Sequence, residues 1–268
     1  MTDTALFEPT GTHPTKPRIW VERRGRGRLG GSGMMLALIQ RARFHGRRVK
    51  PLDADFKSRT LSNYYPATGA NGEPVPDGAS APQTRDVTGF KAWLLDELNA
   101  AHADGIARVL DVSGGSREID EMMTDLDLAE FCDEFGIRLL SLCLLGPDRE
   151  DFLHLLEAVA TSSIRPRNLL VAFNEGMLRG GNAETVFSAI KASQDFRDLE
   201  RAGARAMFVH RLPCMTELRD RRDDFYAVAA GRRVDDRLPP ATQIHMTRKW
   251  LAQNEAEFKR LQIEDRLP

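Results

Sequence analysis

Short apolar runs alternate with amphipathic stretches along most of this 268-residue chain. That alternation constrains the fold more than any other feature. "RIWVER" (18–23) reads as a first strand and "SGMMLALIQRARFHG" (32–46) as the helix after it, stopped by Gly46. "RRVKPLDAD" (47–55) holds a second strand. Strand–helix pairs then follow at 87–105 and 106–115, 118–136 and 137–146, 148–162 and 167–176, and 183–203 and 204–213. A polar helix and a C-terminal helix over 242–262 end the pattern. Repeated strand–helix units predict an α/β fold of three layers, a mostly parallel sheet with helices on both faces. The expected organisation is a flexible arm over 1–17 and a single domain over 18–268. Residues 66–86, with four Pro and three Gly, read as a mobile surface loop.

Composition narrows the function classes. Charged residues make up 29 % and the net charge is −1, which argues against a chain coated for nucleic acid. The cations of the first 50 residues (Arg18, Arg23, Arg24, Arg43, Arg47, Arg48 and Lys50) form either a solvated surface or a patch for DNA phosphates. Three separated cysteines with no C-x-x-C read as reduced, packed thiols. No apolar run reaches the ~20 residues of a membrane span, and no secretory leader is legible, so the expected location is the cytoplasm.

In parallel sheets, ligands bind where strands end. Three such places stand out. "GRGRLGGS" (25–32) matches G-x-x-x-x-G-K-[ST] except that Gly31 stands in the lysine's place. Gly25, Gly27, Gly30, Gly31 and Gly33 can bring backbone N–H groups to an anion at the start of a helix, and Ser32 can touch magnesium. The same residues also suit a plain glycine turn with Ser32 as helix N-cap. Asp53-Ala54-Asp55 ends the second strand with two carboxylates at i and i+2, fit either for a metal and an attacking water or for a solvated turn. Asp111 ends a hydrophobic strand before Ser113-Gly114-Gly115, as a magnesium-supporting carboxylate or as a turn former.

Taken in order, these stretches resemble the ParA/MinD family of deviant P-loop ATPases and their CobQ/CobB relatives. Residues 26–32 match the family's K-G-G-x-G-K-[ST] loop, Asp53-Ala54-Asp55 its D-x-D, and residues 111–115 its D-x-P-G-G-like strand end; "VAFNEG" offers Asn174 for adenine. The resemblance spans residues 18–215. It implies ATP and Mg²⁺ as ligands, Ser32, Asp53 and Asp111 around the metal, and Asp55 positioning the water. It also implies a homodimer in which Arg26, in place of the family's extra lysine, reaches the partner's nucleotide. The implied role is a switch in plasmid or genome maintenance, read by another protein or by DNA. With lysine replaced by Gly31 and a family glycine by Arg28, nucleotide binding and hydrolysis are expected to be weakened or lost. Arg26 and Arg28 are the candidates to replace the missing charge. Alternatives are a non-catalytic binding protein on the same fold and a CobB- or dethiobiotin-synthetase-like ligase.

Overall fold

A computed structural model describes residues 18–114, 125–161, 164–234 and 236–268. The arm over 1–17, Gly115 and the first part of the helix expected over 118–136 lie outside the described residues. Six strands form one parallel sheet in the order β2-β3-β1-β4-β5-β6. They are β1 (Arg18–Arg24), β2 (Val49–Ala54), β3 (Ala107–Val112), β4 (Ile137–Leu145), β5 (Leu169–Asn174) and β6 (Arg205–Val209). This is the expected α/β arrangement, a parallel sheet with helices on both faces. The chain first builds the β2 and β3 side of β1 and then crosses to β4, so the topological switch lies beside β1, where parallel sheets open a crevice.

Strand alternation decides what each face of β1 meets. Ile19 and Val21 point to the layer of α1 (Gly31–Phe44), where Met35, Leu36 and Ile39 are buried, and the long C-terminal helix packs on the same face. Trp20 faces the opposite layer with Leu94 and Leu98 of α3 (Val87–Asp104). Phe173 of β5 and Phe152 of a later helix (Arg149–Thr161) continue that second layer. Asp86 caps α3 by accepting from Gly89 N, and Gly105 ends it at φ 66°.

Two expectations need correction. The helix expected over 183–203 is three short helices, Ala183–Val186, Ser188–Lys191 and Gln194–Arg201. Ser193 restarts the last one by accepting from Phe196 N, and the buried Phe187 holds the joint before it. The segment over 66–86 is tied down rather than loose. Ser80 pairs with β2, donating N–H to Pro51 O (3.0 Å) and accepting from Asp53 N (2.8 Å). A short helix that sequence periodicity does not announce, α2 (Thr60–Tyr64), precedes it.

Both borders of the sheet are covered in this way. At the β6 border, Phe208 N donates to Glu257 (3.3 Å) and Arg260 donates to Ala206 O (2.8 Å), both from the helix Ala241–Arg260. Trp250 of that helix is buried and donates to His210 O. The cysteines Cys132, Cys143 and Cys214 are all buried and free.

Candidate functional site

The three motifs converge. The loop leaving β1, the end of β2 and the end of β3 border one cleft of ≈ 990 Å³, which also takes in the end of β5 and the segment after β6. Gly27, Gly30, Gly31, Ser32 and Gly33 line it, with Asp55, Ser113, Gly114 and Asn174. Gly25 follows the strand at φ 94° and does not line the cleft; a Cβ there would stand 2.7 Å from Cys143 Sγ.

Gly30, not Ser32, is the N-cap of α1, at φ 85° and ψ 9°. Only glycine adopts that conformation readily, and a side chain there would also meet the Asn174 carboxamide at 2.7 Å. Ser32 is therefore the second residue inside the helix and not its cap, and it lines the cleft. No side chain caps α1 and no acidic residue stands in its first turn, which leaves its N–H groups and positive end for an anion.

The lining is strongly cationic for a chain of net charge −1. Arg23, Arg26, Arg28, Lys57, Arg211 and Arg219 border the cleft, against the single carboxylate Asp55 among the described residues. Sequence reasoning missed Lys57, Arg211 and Arg219, because they come from segments far apart with no motif of their own.

The two carboxylates of the D-x-D pair part company. Asp53 is buried and spends both oxygens on backbone, accepting from Asp55 N (3.2 Å) and from Ser62 N (2.7 Å). Burial raises its pKa, and the donated N–H groups pull it back. Asp53 thus positions α2 and does not reach the cleft. Asp55 accepts from Lys57 N (3.0 Å) and Ser58 N (3.1 Å) through Oδ1 alone, so Oδ2 remains for the cleft.

Asp111 is fully buried at the end of β3, beneath the cleft rather than lining it. Desolvation pushes its pKa up to about 6, and the charge of Arg23 opposes the shift, with a smaller contribution from Ser32. Nε of Arg23 stands 2.6 Å from Asp111 Oδ1. Arg23 also donates to the carbonyl of Val112 and lies 3.9 Å from Asp55 Oδ2. Asp55 and Asp111 are thus gathered around one arginine, and Ser32 lies beside Asp111.

Arg26 is held within its own chain, 3.0 Å from Asp151, which in turn accepts from Gly146 N. Asn174 donates to Leu29 O (2.7 Å) and accepts from Gly176 N (2.8 Å), so its carboxamide braces the loop at the cleft's wall. The basic residues of the first 50 do not form one surface. Arg23 and Arg24 are buried, Arg43 donates to Asp77 O and covers the Tyr65 ring, Arg47 donates to Pro268 O, and Arg48 pairs with Asp77.

No protein-family model matches the chain, and no curated protein sequence does. Among solved structures it is similar to the MinD cell division protein of Aquifex aeolicus, at 16 % identity and TM-score 0.42, over 87 % of this chain and 97 % of that one. It is also similar to chloroplast FtsY of Physcomitrella patens, at 11 % identity and TM-score 0.41, over 72 % and 67 % of the two chains. With likeness this distant, the fold is assigned from the strand order and from the loop between β1 and α1. No helix among the described residues is long and apolar enough to cross a membrane.

Proposed function

We propose that this chain binds a nucleoside triphosphate in the cleft and acts as a ParA/MinD-like switch with weakened or lost hydrolysis. The observation that carries the reading is the convergence of an uncapped helix start, a glycine loop and six cations on one cleft. An anion with several charges suits such a lining, and the cleft's volume has room for a base and sugar beside the phosphates.

The residues present fit a magnesium ion held mainly by the nucleotide. Ser32 and Asp55 Oδ2 offer oxygen ligands at the cleft, and magnesium commonly takes one or two protein oxygens plus phosphates. When bound, the ion would neutralise charge on the phosphates. Asp111 supports this wall from below. Weak hydrolysis is favoured because Gly31 carries no side chain, while Asp55 Oδ1 is committed to backbone and Arg26 to Asp151. Arg26 remains half-exposed and could exchange Asp151 for a partner subunit's phosphate, the family's cross-dimer contact. A homodimer, a cytoplasmic location, a protein partner and a role in plasmid or genome maintenance belong to the same proposal. DNA contact is not favoured, since the basic residues it would use are engaged.

Calorimetric titration of ATP with and without magnesium tests the reading. Binding tightened by magnesium is expected, with dimerisation seen by light scattering on adding ATP. No heat at millimolar ATP overturns it.

A further inference from the structure

Gly31 leaves the cleft without the lysine that its loop pattern calls for. The structure puts a different side chain in that space. Arg23 is the last α1-facing residue of β1, and its stem runs across the Gly31 α-carbon. A Cβ at position 31 would overlap Arg23 Cδ and stand 3.0 Å from its Cγ and 3.1 Å from its Nη1. The first carbons of any lysine at 31 would occupy volume that Arg23 already fills. The exchange is reciprocal: glycine at 31 is what lets the arginine through.

The head of Arg23 is fixed. Its side chain is 6 % exposed, anchored on Asp111 at 2.6 Å and on the Val112 carbonyl, and it borders the cleft. The pairing with Asp111 is close but unaligned. Nε of Arg23 makes no hydrogen bond of good geometry. A guanidinium carries five N–H donors in one plane, and these neighbours leave part of that set unused. Such a fork suits two oxygens of one phosphate, which a lysine cannot grip in the same way.

We infer that Arg23 supplies from the strand the phosphate-binding cation that the loop lacks at position 31. The ligand class is a di- or triphosphate. The inference rests on the nucleotide reading above and assigns the missing charge to neither Arg26 nor Arg28. Because Asp111 holds the guanidinium in place before any ligand arrives, the charge is preorganised and need not swing in from the loop.

The test is a swap read by ATP calorimetry on four variants, each checked by circular dichroism melting. Arg23→Gln keeps a donor for Val112 and Asp111 but loses the charge; ATP affinity should fall about tenfold or more. Gly31→Lys alone should also weaken binding, because it displaces the Arg23 stem. Arg23→Ala should bind worst, and Arg23→Ala combined with Gly31→Lys should return to within about threefold of the parent. Arg23→Gln at parental affinity, or a combined variant no better than Arg23→Ala, overturns the assignment while leaving the nucleotide reading intact. A parent chain that binds no ATP overturns both. If Arg23→Ala does not fold, Arg23→Gln decides.

Discussion

Two glycine-rich segments of this molecule look alike as text and behave oppositely as structure. The loop over 25–32 is shaped from outside. Gly114 packs against the backbone of Arg26 and Gly27, Asn174 braces Leu29 O, and Arg23 crosses Gly31. Its helix start is left uncapped. The segment over 66–80 is shaped from within. Gly69 N donates to Glu73 O, Val75 N to Ala67 O, Gly78 N to Val75 O and Ala79 N to Tyr65 O. Every buried N–H needs a partner, so a loop that pairs its own donors has few left for a ligand. The number of glycines does not separate a binding loop from a structural one. The destination of their N–H groups does.

The contrast can be broken most decisively at Gly114. A Cβ there would overlap Gly27 N and stand 2.6 Å from the Arg26 carbonyl carbon, and backbone cannot yield cheaply. Gly114→Ala should lower stability by about 3 kcal/mol and abolish ATP binding, measured by urea unfolding and calorimetry. Retained binding would mean that the loop is not held by its neighbours.

The buried carboxyl under the cleft gives the next effect. Asp111 titrates near 6 when folded, against an ordinary carboxyl near 3.8 when unfolded. Between those values the folded chain holds the additional proton. Its contribution to stability is therefore largest below pH 4, falls as pH rises to about 6, and is level above, a change of about 2–3 kcal/mol. Urea midpoints measured from pH 4 to pH 7 should show this slope in the parent chain and lose it in Asp111→Asn.

Gly78→Ala sharpens the comparison from the other side. Its Cβ would meet Pro66 O at 2.5 Å and Ala67 Cα at 2.9 Å. A loss of about 2 kcal/mol is expected in the same unfolding assay, with ATP affinity unchanged. Asn174→Ala should cost about 1–2 kcal/mol by leaving Leu29 O without its donor, and it should weaken ATP binding as well. Gly27→Ala is the smallest case. A Cβ there meets nothing within 4 Å, so thermal melts should differ from the parent by less than about 0.5 kcal/mol.

Much of this architecture is legible in the sequence because burial imposes period. The strands come within four residues of their structural bounds, and most ends within two, since apolar runs in a two-faced sheet must be continuous. The cleft's position follows from strand ends alone. What side chains do across segments is not legible. Asp53 and Asp55 are indistinguishable as letters, yet one caps α2 from below and the other faces the cleft. Arg23 reads as one cation among many at the end of "RIWVERR". Alternation with Ile19 and Val21 places it on the α1 face, and glycine in the lysine's place is the one trace in the sequence that another side chain fills that space. The docking of Ser80 on β2 runs through backbone atoms, which every residue has, so no letter announces it.

The covered borders of the sheet have a consequence for how copies of this chain can meet. An exposed outer strand ordinarily invites another chain to zip on and extend the sheet without limit. Here Pro51, Asp53, Ala206 and Phe208, which face outward at the two margins, already have internal partners in Ser80, Arg260 and Glu257. Strand addition at these four positions would first have to break internal hydrogen bonds, so the covered margins act against edge-to-edge growth of the sheet.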